Sequence, residues 1–227
     1  MEYVEIARAE SERGELVLRE RRPESGPTSL ELRANGVFVM DTLEVATERA
    51  LATEALASVE APAAVVVGGL GLGFTMHEVL ADSRVEKVAV VEIEQSLVDW
   101  MRDGTIAHGP ALLADERVTV VVADVAVALA EAAPASYDLV LLDVDNGPGF
   151  LVHEDNAALY REPFLHSARA ALRPGGVLAV WSAAEAPELG DAMTAVFAST
   201  EAQSHEVLLQ DREEQYWLYL ARVPSQA

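Results

Sequence analysis

The chain has 227 residues, 51% of them hydrophobic, with a formal net charge of −22 and no cysteine. Its length allows one substantial core, the missing cysteine excludes disulfides and thiolate chemistry, and its charge would repel nucleic-acid phosphates and anionic lipids. No apolar run reaches the ~18 residues that a membrane span needs, and the acidic first residues lack the apolar core of a signal peptide. We therefore expect a cytoplasmic enzyme or binding protein. We expect neither nucleic acid nor a membrane as a partner.

The first 42 residues are predicted to form a small antiparallel β element. Short runs there alternate apolar and polar residues, and turn-forming residues separate them. These runs are "YVEIARAE", "GELVLRE", "SLELRAN" and "VFVMD". An Ala- and Leu-rich helical segment follows and ends before Pro62. We therefore divide the chain into an N-terminal β-hairpin region, residues 1–42, and a second domain, residues 43–227.

From Ala63 onwards the pattern alternates strand and helix. The predicted strands are rich in Val and Leu, as is typical of a parallel sheet covered by helices on both faces. They are "AAVVVGG", "EKVAVVEIE", "ERVTVVVAD", "YDLVLLDVD", "GGVLAVWSA", "AQSHEVLLQ" and "EQYWLYLARV". The helix "NAALYREPFLHSARAAL" is expected to be interrupted at Pro163. No helix separates the last two strands, which predicts an antiparallel pair at one edge.

Three strand ends predict a nucleoside site. The first strand runs into the glycines Gly69, Gly71 and Gly73, which permit a tight turn and close approach of the backbone to a ligand. Glu92 ends the next strand, where an acidic residue can accept hydrogen bonds from a ribose diol, and Asp124 ends the third. Ligands of such sheets bind where strands end, so we expect these five residues to hold a cofactor; the alternative is a tight turn that binds nothing.

The glycine spacing and the closing antiparallel pair resemble the class I S-adenosylmethionine-dependent methyltransferase fold. We therefore predict an α/β, Rossmann-like domain with a mostly parallel seven-stranded sheet and an antiparallel last strand. Together, "VVVGGLGLGFTMHEVL", "VEKVAVVEIE", "DERVTVVVAD", "YDLVLLDVDNGP" and "RAALRPGGVLAVW" resemble the spermidine synthase family of aminopropyltransferases. The resemblance implies that Glu92 holds the ribose, that Asp124 holds the adenine amino group, and that the chain can form a homodimer.

Three positions depart from that family's pattern. Leu72 replaces the aspartate of the glycine loop, which anchors an amine of the aminopropyl chain in the family. The family's catalytic aspartate after the fourth strand becomes Asn146, although Asp145 is adjacent and Asp143 keeps its place. Near the first helix, Glu48-Arg49 stands where the family often has His-Glu.

These departures lead us to expect an altered reaction. Leu72 cannot hold an ammonium, and it removes a charge that would repel the carboxylate of intact S-adenosylmethionine. We therefore predict methyl transfer from S-adenosylmethionine to a small-molecule acceptor, with Asp143, Asp145 and Asn146 at the acceptor. One alternative function is a divergent aminopropyltransferase that uses decarboxylated S-adenosylmethionine and a polyamine, and another is a non-catalytic nucleoside-binding protein. For the run "DNGPG" itself, the alternative is that it only forms a turn.

The acidity could attract a cationic acceptor, or it could only be a solvated surface. The loop residues His153, Glu154 and Asp155 could form a lid over the acceptor, but their spacing does not predict a metal site, and we expect no metal. Tyr160 and Trp181 could form walls for the acceptor or could be ordinary core residues.

Overall fold

The computed structural model describes residues 1–209 and 212–225 of the chain and contains two sheets. The first is a four-stranded antiparallel sheet in which sequential neighbours pair. Alternation of apolar and polar residues lets one face of this sheet pack on the rest of the molecule. Its strands are β1 (Glu2–Ser11), β2 (Gly14–Arg22), β3 (Ser29–Ala34) and β4 (Val37–Asp41).

The second sheet has seven strands in the order β10-β11-β9-β8-β5-β6-β7. Pairing is parallel from β7 to β9, whereas β11 is antiparallel to both of its neighbours. This confirms the predicted fold class. The strands are β5 (Ala64–Gly68), β6 (Lys87–Glu92), β7 (Val118–Val122), β8 (Tyr137–Leu142), β9 (Leu172–Ser182), β10 (Thr200–Leu209) and β11 (Arg212–Arg222).

Helices cover both faces of this sheet. One core contains Leu51, Met76 and Val98 from the helices of the first face, and it continues into the N-terminal sheet through residues such as Leu18. The other core lies under the helices of the opposite face. The helices are α1 (Ala46–Ala57), α2 (Phe74–Ala81), α3 (Gln95–Asp103), α4 (Gly109–Leu113), α5 (Val125–Glu131), α6 (Glu162–Ala171) and α7 (Pro187–Phe197).

The structure differs from the predicted elements in a few places. The sequence did not predict α4, a helix of five residues. The expected interruption near Pro163 is present: a 3-10 helix covers Glu154–Tyr160, Arg161 is extended, and α6 begins after it. The predicted strand "AQSHEVLLQ" ends at Gln210, which lies outside the described residues. Strand β8 ends at Leu142, so the polar residues that follow lie in a loop.

None of the helices within residues 1–209 and 212–225 combines the length and apolar character that crossing a membrane requires.

Candidate functional site

A cleft lies at the carboxyl ends of β5, β6, β7 and β8, where the tip of the β1–β2 hairpin meets the large sheet. Parallel strands point their carboxyl ends to the same edge of a sheet, so loops from four strands converge there. Apolar side chains supply part of its walls, among them Val39, Ile93, Leu97 and Leu159. The cleft therefore has the apolar surface and the convergent polar groups that a small ligand needs.

The glycine turn after β5 is held against the loop after β8. Gly69 has φ of +92° and Gly71 has φ of +49°, and both line the cleft. A Cβ atom on Gly69 would overlap the carbonyl oxygen of Asp143, so a larger residue cannot stand there. At Gly73, which precedes α2, a Cβ atom would lie 2.8 Å from the Met101 side chain. Gly69 and Gly71 thus face the ligand space, whereas Gly73 is needed for packing.

Glu92, at the end of β6, is held by the backbone around it. One carboxylate oxygen accepts the Leu70 N–H at 2.8 Å, and the other accepts the Glu94 N–H at 2.8 Å. Burial raises the pKa of Glu92, and these backbone hydrogen bonds oppose the rise. A carboxylate has about four lone-pair sites, so both oxygens can still accept hydrogen bonds from a ribose diol.

Asp124 lines the same cleft one strand further along. Its side chain caps α5 by accepting the Ala126 N–H at 2.7 Å, which fixes the carboxylate at the cleft wall. The second oxygen can accept a further hydrogen bond, such as one from an adenine amino group. Gly69, Gly71, Glu92 and Asp124 thus line one cleft, and their role in holding a cofactor stays a prediction.

Two residues with carboxyl groups, Glu48 and Asp143, both contact Thr75 of α2, whose hydroxyl lies 3.3 Å from the Glu48 carbonyl oxygen. Asp143, after β8, accepts the Thr75 hydroxyl at 2.6 Å, and burial raises its pKa to about 6. Glu48, on α1, is 8% exposed; burial, and then the charge of Asp143, raises its pKa to about 8. Among the described residues, no basic side chain acts on the pKa of either carboxyl group. Such a pair favours a cationic ligand, because a bound ammonium would offset both burial and mutual repulsion.

Two aromatic side chains pack in the core that continues into the N-terminal sheet: Trp181 is a buried member of that core, and Tyr216 packs against it. The rings of Trp181 and Tyr216 meet edge to face, with centroids 4.9 Å apart. Burial, and then the charge of Glu48, raises the pKa of Tyr216 to about 12. The Trp181 Nε1 atom is buried and has no hydrogen-bond partner within residues 1–209 and 212–225. Aromatic faces beside carboxylates are suited to an alkylammonium ligand.

Asp145 and Asn146 lie in the loop after β8. Asp145 has φ of +57°, and its two oxygens accept the Val152 N–H at 3.1 Å and the Asn156 side-chain amide at 2.7 Å. Asn146 instead donates to the Phe38 carbonyl on β4 at 3.1 Å. Asp145 thus lines the cleft, whereas the amide of Asn146 ties the loop to the N-terminal sheet. The predicted role of Asn146 at the acceptor stays a prediction.

The other predicted positions are placed as follows. Leu72 is fully buried in the core, so its side chain does not face the ligand space. His153 lines the cleft and lies 3.7 Å from Asp155, whose side chain is exposed. Tyr160 is buried and donates to the Val144 carbonyl at 2.7 Å. In the described part of the chain, no group of three or more His, Cys, Asp or Glu could hold a metal ion.

Sequence reasoning missed Arg13 and Asn156, and it noted Glu48 only as a departure from the family's pattern, without a role in the site. Glu48 had a detectable signal: it precedes Leu51, Ala52 and Ala55 at helical spacing, so a charged residue stands on the buried stripe of α1. Arg13 and Asn156 had none, because polar residues are ordinary at a hairpin tip and at the start of a predicted helix.

The chain belongs to the spermine/spermidine synthase domain family, whose model matches residues 32–207. This confirms the resemblance. Putrescine N-methyltransferase 3 of Nicotiana tabacum is 34% identical over 125 residues, 54% of this chain and 31% of the relative. Spermidine synthase 1 of Pisum sativum is 38% identical over 128 residues, 54% of this chain and 35% of the relative. The matched segment thus spans about a third of each relative's length.

The spermidine synthase crystal structure from Thermotoga maritima superposes with a TM-score of 0.81 at 19% identity, covering 98% of this chain and 74% of that one. This likeness shows that the N-terminal sheet and the large domain share that protein's fold.

Proposed function

We propose that the protein is a transferase that alkylates a primary amine of a diamine, with a sulfonium nucleoside in the cleft as donor of the alkyl group. The observation that carries the proposal is that two carboxyl groups beside the glycine turn, the buried Glu48 and the part-buried Asp143 at the cleft wall, have no basic partner among the described residues. A diamine supplies the missing cation. The names of the relatives, putrescine N-methyltransferase and spermidine synthase, support an amine acceptor of this class.

The charge of the cleft favours decarboxylated S-adenosylmethionine, and hence aminopropyl transfer. Arg13 is the only Lys or Arg among the described residues that line the cleft. The carboxylates of Glu15, Glu92, Glu94, Asp124, Asp143 and Asp145 line it as well. A donor with a sulfonium and an ammonium and no carboxylate matches this excess of negative charge. The methyl transfer expected from Leu72 is therefore less well supported than the aminopropyl alternative.

In this reaction the neutral acceptor nitrogen attacks the carbon next to the sulfonium sulfur. The new C–N bond forms as the C–S bond breaks, the bonding pair goes to sulfur, and the nucleoside leaves as neutral methylthioadenosine. The acceptor nitrogen loses its proton to Asp143 or Asp145, the carboxylates that line the cleft beside the glycine turn. Glu48 holds the distal ammonium, and Trp181 and Tyr216 wall the carbon chain.

A second candidate is methyl transfer from intact S-adenosylmethionine to the same acceptor. Leu72 favours it, because the glycine loop carries no carboxylate that would repel the methionine carboxylate. The name putrescine N-methyltransferase among the relatives supports it too.

Product analysis separates the two reactions. The protein is incubated with putrescine and either decarboxylated or intact S-adenosylmethionine, and the amine products are identified by mass spectrometry. We expect spermidine from the decarboxylated donor. Asp143→Asn should lose turnover while still binding methylthioadenosine in calorimetry, whereas Asp155→Asn, at an exposed side chain, should behave as wild type.

Methylputrescine as the main product would move the assignment to the second candidate. If neither donor yields a product although methylthioadenosine binds, the transferase proposal is wrong and the protein is a nucleoside binder.

A further inference from the structure

The tip of the β1–β2 hairpin reaches across the cleft and contacts both of its sides. Arg13 donates through Nη2 to the side-chain oxygen of Asn156 at 3.0 Å, and its Nε lies 3.8 Å from Glu94. Ser11 donates to the same Glu94 carboxylate at 3.1 Å. The N-terminal sheet thus does more than cover the core, because it places a guanidinium at the mouth of the nucleoside cleft.

From Arg13 a chain of hydrogen bonds leads to the loop after β8. Asn156 accepts from Arg13 through its oxygen and donates through its nitrogen to Asp145 at 2.7 Å. The order cannot be reversed, because a guanidinium only donates and an ionised carboxylate only accepts. The two neighbours therefore fix the orientation of the Asn156 amide, and the amide in turn fixes one oxygen of Asp145.

The hairpin tip is itself rigidly held. Asn35, in the turn between β3 and β4, accepts the Glu15 N–H and donates to the Arg13 carbonyl, each at 3.0 Å. A Cβ atom on Gly14 would overlap the Asn35 side chain, so these two turns fit against each other without a gap. Arg13 is consequently presented from a fixed backbone rather than from a mobile loop.

The loop that carries Asp145 needs such support, since its backbone is in the left-handed region that few non-glycine residues adopt. The charged or titratable groups that act on Asp145 are Arg13 from the hairpin and His153 from the segment that follows. Tyr160, from the same segment, lies near both Asp145 and Asp143. Arg13 is the permanently charged cation among these residues.

We propose that Arg13 and Asn156 are positioning residues that hold the Asp145 carboxylate toward the amine acceptor, so that the N-terminal hairpin completes the acceptor half of the site. The inference rests on the proposed function only for the identity of that acceptor. In this arrangement Asp145 supplies the carboxylate at the amine acceptor, in place of the family's aspartate that Asn146 replaces.

The titration of Asp145 tests this without any substrate. Its carboxyl signal is followed by carbon NMR in protein labelled at aspartate, and Asp145→Asn assigns the signal. Burial raises the pKa of Asp145, and the Asn156 amide and the Arg13 charge oppose that rise. We expect Arg13→Gln and Asn156→Leu to move the midpoint about 0.3 to 1 pH unit higher.

The matched control is Arg22→Gln, which removes an exposed arginine of the same sheet that pairs with Glu20. It should leave the Asp145 midpoint unchanged. An Arg13→Gln variant that titrates as wild type, or a shift equal to that of Arg22→Gln, would overturn the proposal. The result is independent of turnover, so an inactive protein with the expected shift would refute the proposed function and leave the hairpin contact established.

A double-mutant cycle then tests the route through Asp145. Arg13→Gln should lower kcat roughly tenfold in the wild type and cause no further loss in the Asp145→Asn background. Equal losses in both backgrounds would mean that Arg13 acts elsewhere. Calorimetry with methylthioadenosine should give the same affinity for wild type and Arg13→Gln within about twofold, which separates loss of positioning from loss of nucleoside binding.

Discussion

At the scale of single residues, Glu48 is the most informative side chain in the site. Its folded-state pKa of about 8 lies above the ordinary value of 4.5, because burial and the nearby charge of Asp143 disfavour the ionised form. The folded chain therefore holds a proton that the unfolded chain releases. The stability gained from this proton is full below pH 4.5 and is lost as the pH rises through about 8.

Replacement of Glu48 by glutamine should stabilise the protein at high pH and inactivate it. A neutral amide mimics the protonated acid, so we expect the free energy of unfolding at pH 9 to rise by at least ~1.4 kcal/mol, the equivalent of one pKa unit. Near pH 5 the gain should vanish. Urea unfolding at both pH values measures this, and turnover of the diamine should fall at least about tenfold because the distal ammonium loses its partner.

Glu54→Gln is the matched control on the same helix, and it should change neither stability nor turnover. A stabilisation by Glu48→Gln that is equal at both pH values would show that Glu48 is not protonated in the folded protein.

At the scale of elements, the loop after β8 and the 3-10 helix that follows act together. Tyr160 closes this helix and donates to the Val144 carbonyl inside the loop. Burial raises the pKa of Tyr160, so its hydroxyl remains a donor at neutral and moderately alkaline pH. Two hydrogen bonds therefore hold the loop that carries Asp145, one from Tyr160 to the Val144 carbonyl and one from the Asn156 amide to Asp145.

Tyr160→Phe removes this hydrogen bond without changing the ring. The Val144 carbonyl then loses a buried partner, and we expect a loss of about 1–3 kcal/mol in the free energy of unfolding. Turnover should fall more than methylthioadenosine affinity, because Asp145 loses part of its support. Tyr137→Phe, at the start of β8, is the control and should cost little. A Tyr160→Phe variant with wild-type stability would mean that the loop is held without Val144.

The elements themselves could largely be predicted from the sequence, because strands of the large sheet are continuous apolar runs and helices carry periodic apolar faces. The exceptions are local. Helix α4 has five residues and is fixed by tertiary packing of Gly109 against the backbone of Met101. The candidate site was less predictable: strand ends indicated Glu92 and Asp124, but the contact of Arg13 with Asn156 joins residues 143 positions apart.

At the scale of the whole molecule, acidity is the dominant property. The chain carries 38 acidic and 16 basic residues, so most carboxylates on the surface have no basic neighbour to pair with. The same excess of negative charge extends into the cleft, where it is suited to cationic ligands. Repulsion among these charges opposes the compact state.

Salt should therefore stabilise the fold. The screening length shortens from about 30 Å at 0.01 M to about 10 Å at 0.1 M, which weakens repulsion between distant carboxylates more than it weakens contacts within ion pairs. We expect the Tm to rise over this range and the affinity for diamines to fall. Differential scanning fluorimetry in sodium chloride and in choline chloride should agree if screening is the cause. A Tm that falls with salt would show that surface ion pairs outweigh the net repulsion.

The fit between Gly69 and the Asp143 carbonyl has a consequence for recombination and for engineering. The two loops touch so closely that a change in the backbone of one requires a matching change in the other. A chimera that takes its glycine turn from a relative but keeps the β8 loop of this chain would join parts shaped for different neighbours. Productive exchanges between family members should therefore place their crossover points so that both loops come from the same parent.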